Sequence, residues 1–163
     1  MPGELSDFSN SGMYLAMPVQ IGQSSRQLTF IASRQETIRN HTMKAHVKLI
    51  GRETIAEGTM EFRFSKPAGF EFRAGQWTDF GLIDPPETDA EGNVRGFSLV
   101  QAPFEPDLVV ATRMRDTAYK RVLRDLPIGS QVTLDGPGGD FTLHKNQSTP
   151  AVFIIGGIGV TPV

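Results

Sequence analysis

The sequence has 163 residues, of which 39% are hydrophobic and 21% charged, as is typical of one globular domain with at most a short appendage. Its net charge of −2 does not favour nucleic acid as a partner, and the absence of cysteine excludes disulfides and a cysteine-held iron–sulfur cluster within this chain. No apolar run is long enough to span a membrane, and the start lacks the pattern of a signal peptide. We therefore expect a cytoplasmic protein, and the scattered histidines predict no metal site.

Residues 1–44 differ in composition from the rest of the chain. They are rich in Ser, Asn, Gln and Met, and short patches such as Leu28–Ile31 are the only strand-like stretches. We interpret them as a partly ordered N-terminal extension, with a second functional unit as the alternative.

Residues 45–146 consist of short alternating stretches separated by turn residues, which is typical of an antiparallel barrel or sandwich. An acidic stretch after Pro86 reads as a solvated loop, and the glycines of Gly136–Gly139 predict a tight turn. The predicted strands are His46–Ile50, Thr59–Phe64, Gln76–Ile83, Gly96–Gln101, Leu108–Met114 and Val132–Leu134.

One segment departs from the β pattern. Between Thr117 and Leu126 the apolar residues follow helical spacing, Asp116 or Thr117 can cap the start, and Pro127 ends the segment. The sequence therefore predicts a mainly β fold, a six-stranded antiparallel Greek-key barrel with one capping helix.

Residues 147–163 have another texture. Ala151–Ile155 is apolar without alternation, as in a strand buried on both faces of a parallel sheet. It leads into the glycine turn Gly156–Gly159, a type of turn that approaches phosphates at the start of a helix. We interpret this segment as the first strand of a truncated α/β nucleotide-binding domain, and we expect the unpaired strand to promote self-association.

Two constellations suit a phosphorylated, planar cofactor. In Arg95-Gly96-Phe97-Ser98, the arginine fork matches a pyrophosphate, the aromatic ring can stack on a planar group, and the hydroxyl can bond the cofactor edge. After Arg113-Met114, the predicted helix start at Thr117 offers free backbone N–H groups to an anion.

Together and in order, these motifs resemble the ferredoxin–NADP reductase superfamily, in particular bacterial ferredoxin/flavodoxin reductases and reductase components of oxygenases. The resemblance extends from about Ala45 to Val163 and includes the turn Ala74-Gly75-Gln76-Trp77. Phe97 stands where the family motif has tyrosine.

The resemblance implies roles at the matching positions. Arg95 would hold the flavin phosphates, Phe97 would pack on the isoalloxazine, and Ser98 would face the hydride-accepting nitrogen as the catalytic residue. Glycines and the Thr-Pro pair of the last segment would face phosphate and nicotinamide. The implied cofactor-binding residues are Arg95, Gly96, Phe97, Ser98, Thr112, Arg113, Met114, Thr117, Ala118, Gly157, Gly159, Thr161 and Pro162.

The implied activity is that of an FAD-dependent NAD(P)H oxidoreductase, with FMN as the less favoured flavin. Electrons would pass to a redox partner such as ferredoxin, flavodoxin or an oxygenase component. We expect the chain to be an incomplete enzyme that lacks most of its NAD(P) domain. The alternative is a barrel that serves as an interaction or regulatory module without a functional flavin.

Overall fold

The computed structural model describes residues 42–146 and 148–163. The predicted extension therefore lies, up to His41, outside the described residues. The first strand already begins at Met43, two residues before the predicted start of the barrel. The elements of the described part are β1 Met43–Ala56, β2 Thr59–Ser65, β3 Trp77–Leu82, β4 Val94–Ser98, β5 Asp107–Arg113, helix α1 Ala118–Asp125, β6 Gln131–Gly138 and a short 3-10 helix, Gly157–Val160.

The six strands form one antiparallel sheet in the order β4-β3-β6-β1-β2-β5. Strand β1 is shared by both halves, because Met43–Lys48 pairs with β6 and Leu49–Ala56 pairs with β2. The halves face each other, since the rings of Phe64 and Phe80 stack with centroids 4.5 Å apart. The predicted six-stranded antiparallel Greek-key fold is therefore confirmed.

The two ends of this strand order, β4 and β5, meet without forming a ladder among the described residues. The N–H of Val100, just beyond β4, donates to the carbonyl of Val109 at 3.0 Å. Nearby, the Gln101 Oε1 accepts the N–H of Val109 at 2.9 Å. The fold is thus a barrel with a weakly bonded seam, and we find that seam beside the candidate site.

Helix α1 follows β5 and confirms the predicted capping helix. The hydroxyl of Thr117 accepts the N–H of Lys120, so Thr117 is the N-cap. Tyr119, Val122 and Leu123 are buried, which matches the predicted apolar face. The Tyr119 hydroxyl also donates to the carbonyl of Phe80 at 3.0 Å, so the helix is fixed to β3 by a buried hydrogen bond.

The predicted tight turn at Gly136–Gly139 is wrong, because β6 continues through Gly138. These glycines instead allow β6 to lie close to β3. A Cβ atom at Gly136 would lie 2.3 Å from Thr78 Oγ1, and one at Gly138 would lie 3.0 Å from the Trp77 ring. Strands β3 and β6 can pack this closely only because side chains are missing there.

The predicted strand at Ala151–Ile155 is also not formed, and the segment has no regular secondary structure. Val152 and Ile154 are 86% and 99% exposed. An apolar run becomes a strand only when its backbone N–H and carbonyl groups bond to a neighbouring strand, and no such neighbour lies beside this one in the described residues.

Among the same residues, no helix is long and apolar enough to span a membrane.

Candidate functional site

A cavity of about 360 Å³ lies beside the seam, between β4, the end of β5 and the start of α1. Its wall carries the cations Arg95, Arg115 and Lys120 together with one carboxylate, that of Glu91. Burial, with the positive charges of Arg115 and Arg95, lowers the pKa of Lys120. The three cations therefore give the cavity the charge of an anion-binding site, and the carboxylate of Glu91 is the one acidic group in its wall.

A second cavity of about 1040 Å³ adjoins the first, because Ala111, Arg115, Ile158 and Thr161 line both. Its wall is largely apolar. The apolar lining residues include Ile55, Val100, Met114, Ile158, Val160 and Val163. A cationic cavity that continues into an apolar one can accept a ligand with a phosphate at one end and a flat apolar body at the other.

Arg95 enters the smaller cavity from β4, but its guanidinium already has partners in the preceding loop. Nη2 lies 2.7 Å from Glu91 Oε2 and 3.5 Å from Asp89 Oδ1. Nη1 donates to the carbonyls of Glu91, Gly92 and Val94 at 2.7–3.2 Å. The carbon of the guanidinium sits 5.2 Å from the centre of the Tyr119 ring, a cation–π contact that keeps the group at the start of α1.

The start of α1 is likewise bonded to the acidic loop. Asp89 Oδ2 accepts the N–H of Ala118 at 2.9 Å, and Asp89 Oδ1 accepts the N–H of Glu91 at 3.0 Å. The bond from Ala118 is the main reason why the pKa of Asp89 is lowered. Glu87 also connects the loop to the helix, because its carboxylate forms a bidentate ion pair with Arg121. This pair lowers the pKa of Glu87.

Phe97 and Ser98 follow Arg95 on β4 and differ in exposure. The Phe97 ring belongs to the core, with its centroid 6.3 Å from that of Phe80 and 6.0 Å from that of Tyr119. Ser98 is half-buried at the cavity wall, and no hydrogen bond of its hydroxyl is found within the described residues. That hydroxyl is thus available to a ligand.

The structure brings most of the predicted residues together. Gly96, Thr112 and Thr117 join Arg95, Phe97, Ser98 and Thr161 around the smaller cavity, while Arg113, Met114 and Gly157 line the larger one. Three residues lie elsewhere. Ala118 is 2% exposed, Gly159 lines neither cavity, and Pro162 lines a separate apolar cavity with Phe141 and Phe153.

Sequence reasoning missed part of the site. Lys120, Arg115 and Ile158 line the smaller cavity, and the acidic loop was read as plain surface. Lys120 could have been found, because a side chain three residues after the N-cap lies over the first turn of the helix. The loop carboxylates gave no such signal, since their contacts with Arg95 and Ala118 depend on how the loop folds back.

The predicted Ala74-Gly75-Gln76-Trp77 turn connects β3 with the segment that follows β6. Gln76 is 7% exposed, its Oε1 accepts the N–H of Arg73 at 2.8 Å, and its Nε2 donates to the carbonyl of Gly139 at 3.2 Å. Gly75 has a φ of 91°, and a Cβ there would lie 1.6 Å from the Phe141 carbonyl oxygen. The turn therefore fixes the start of β3 against the segment that follows β6.

Two solved structures share this architecture. A cytochrome P450 reductase from Amycolatopsis has a TM-score of 0.61 and 23% identity over 74% of this chain and 37% of its own. A ferredoxin NADP+ reductase from Neisseria gonorrhoeae with bound FAD and NADP has a TM-score of 0.51 and 20% identity over 60% of this chain and 39% of its own. The chain therefore has the fold of these two reductases. The resemblance inferred from the motifs is confirmed.

The curated relatives of this chain include a reductase subunit of a monooxygenase and a dual oxidase. The reductase subunit of glycine betaine monooxygenase from Chromohalobacter salexigens is 30% identical over 120 residues, which are 72% of this chain and 31% of the relative. Human dual oxidase 1 is 29% identical over 127 residues, 73% of this chain and 8% of the relative. The chain thus spans less than a third of the length of either relative. No family model matches the sequence.

Proposed function

We propose that the described domain binds a flavin, FAD in preference to FMN, across the two adjoining cavities. The observation that carries this proposal is the continuity of a cationic cavity with an apolar one at the place where the Arg95–Ser98 motif and the Thr117 helix start meet. A dinucleotide with phosphates at its centre and a planar ring at one end has matching chemistry.

The proposed roles combine the motif with its position at the smaller cavity. Arg95 and Thr117 hold phosphate oxygens, Phe97 packs on the isoalloxazine, and Ser98 faces the hydride-accepting nitrogen as the proposed catalytic residue. All four residues line the smaller cavity. Thr112, Arg113 and Met114 line the remaining wall. The proposed cofactor-binding set also includes Gly96, Gly157 and Thr161, which line the cavities. Ala118, Gly159 and Pro162 line neither of the two cavities, and only the resemblance assigns them to the set.

We propose the same division of the chain as the sequence suggested, with a flavin domain at 45–146 that β1 extends to Met43, and the start of an NAD(P)-binding domain at 147–163. When bound, FAD would supply hydride acceptance from NAD(P)H and onward transfer of electrons. The relative named as the reductase subunit of a monooxygenase supports an oxygenase component as the acceptor, with ferredoxin or flavodoxin as the alternatives. Because the chain spans a minor part of those relatives, the activity of the whole protein is part of the proposal.

Arg95→Ala tests flavin binding. Loss of a charge-assisted phosphate contact should weaken FAD binding by about ten- to hundredfold. Arg95→Lys should recover part of that loss, because it restores the charge without the planar fork. Arg124→Ala is the matched control, since Arg124 is an exposed arginine of α1 that pairs with Asp125. Binding is followed by fluorescence quenching of added FAD, with circular dichroism to check folding.

The alternative function is an interaction or regulatory module without flavin. It predicts that the native chain leaves the spectra of added FAD and FMN unchanged. That result would contradict the flavin proposal. Equal affinities for FAD in Arg95→Ala and Arg124→Ala would contradict the proposed role of Arg95.

A further inference from the structure

The acidic loop between β3 and β4 places two carboxylates on the one arginine that the flavin proposal assigns to phosphate. Glu91 Oε2 lies 2.7 Å from Arg95 Nη2, and Asp89 Oδ1 lies 3.5 Å from the same atom. The other terminal nitrogen, Nη1, is taken up by backbone carbonyls. A phosphate that approaches Arg95 must therefore share or replace a carboxylate.

The two carboxylates differ in how firmly they are held. Asp89 also accepts the N–H groups of Ala118 and Glu91, so its departure would leave backbone donors without a partner. The carboxylate of Glu91 pairs with Arg95 in the described structure, and its side chain is 66% exposed. Glu91, rather than Asp89, is the carboxylate that can move.

Glu91 is also the carboxylate that faces the proposed ligand. It lines the smaller cavity with Arg95, Arg115 and Lys120, whereas Asp89 does not line it. Lys120 Nζ donates to the carbonyl of Arg113, which holds this cation near the end of β5. A phosphate in this cavity would thus meet three cations and one negative charge.

We infer that Glu91 is a specificity-determining residue that competes with a ligand phosphate for Arg95 and so lowers the affinity for flavins with phosphate relative to a flavin without it. The terminal phosphate of FMN carries a charge of about −1.5 to −2 near pH 7, because its second pKa is about 6. The two phosphates of FAD carry about −1 each, so their total charge is similar and Glu91 repels both ligands. This inference rests on the proposed function, and it goes beyond the Arg95–Ser98 motif, which contains no carboxylate.

The test is Glu91→Gln in the full chain, titrated with FAD, FMN and riboflavin. Removing one negative charge should tighten the binding of both FMN and FAD by about three- to tenfold, since the phosphate groups of the two ligands carry similar total charges. Riboflavin has no phosphate, so its affinity should not change. Glu53→Gln is the matched control, because Glu53 is an exposed carboxylate on β1 that lines neither cavity. Its affinities should equal those of the native chain.

Each outcome separates this inference from the proposed function. If the native chain binds FAD but Glu91→Gln leaves the affinities for FAD and FMN unchanged, the inference is overturned and flavin binding stands. If Glu91→Gln changes all three affinities equally, the loop acts through the fold, and the inference is again overturned. If the native chain binds no flavin, the proposed function fails and the inference fails with it. Melting curves of both variants establish that they fold.

Discussion

Asp89 Oδ2 accepts the N–H of Ala118 at 2.9 Å, although the two residues are 29 positions apart in the chain. This bond closes the acidic loop onto the first turn of α1, where a helix has backbone N–H groups without partners inside the helix. The carboxylate thereby satisfies one donor and interacts favourably with the positive end of the helix dipole. The loop and the helix start form one unit around the smaller cavity.

That bond predicts a pH dependence of stability. The pKa of Asp89 is lowered below its ordinary value of 3.8, chiefly by the bond from Ala118. Its stabilising effect should therefore be complete above pH 3.8 and should be lost as the pH falls through the lowered, folded-state value. Asp89→Asn should melt at a lower temperature than the native chain at pH 7.

The difference between the two melting temperatures should shrink as the pH falls below 3.8. Thermal denaturation of the native chain and Asp89→Asn over a range from neutral to acidic pH measures it. A difference of the same size at every pH would show that the charge of Asp89 is not responsible.

Tyr119→Phe should lower the free energy of unfolding by about 1–2 kcal/mol, because the buried carbonyl of Phe80 loses its donor. Burial also raises the pKa of this phenol, so the hydroxyl stays protonated and remains a donor at ordinary pH. Urea denaturation followed by circular dichroism measures the change. Phe104→Leu is the control, since Phe104 is 89% exposed and should be nearly neutral. Equal stabilities of Tyr119→Phe and the native chain would argue against the bond.

Gly136→Ala should destabilise the barrel by about 1–3 kcal/mol, because its Cβ would meet Thr78 Oγ1 at 2.3 Å within a packed pair of strands. Gly159→Ala should be tolerated, since nothing lies within 4 Å of the Cβ that it would add. Chemical denaturation of the two variants compares a glycine needed for close packing with one that is not. Similar losses in both would contradict the close approach of β3 and β6.

Thr117→Ala should cost about 0.5–1 kcal/mol of stability, the lower part of the range for N-cap losses, because its bond to the Lys120 N–H is long at 3.4 Å. Thr117→Ser keeps a hydroxyl and should remain close to the native chain. Thermal melting distinguishes them. If the serine variant lost as much as the alanine variant, the threonine methyl group rather than the cap would matter.

The local elements and the motif residues follow from the amino-acid sequence alone. Alternation in Thr59–Phe64 predicted β2 and its inner face, since side chains of a strand alternate by geometry alone, and Phe62 and Phe64 are indeed buried. The helical spacing from Tyr119 to Leu126 and the cap at Thr117 likewise depend on neighbours within a few residues. The position of Arg95, Gly96, Phe97 and Ser98 in one motif predicted that they would share one cavity wall.

Which groups already have partners depends on the three-dimensional fold. Whether Gly136 forms a turn or a strand depends on Thr78, which comes from another strand, and the apolar run at Val152 stays irregular because strand formation needs a neighbour. Asp89 and Glu91 read as ordinary loop residues until the fold brings them against Ala118 and Arg95. The bond from Ala118 joins residues 29 positions apart, and the pair of Glu91 with Arg95 depends on how the loop turns back, so no local pattern of residue types encodes either contact.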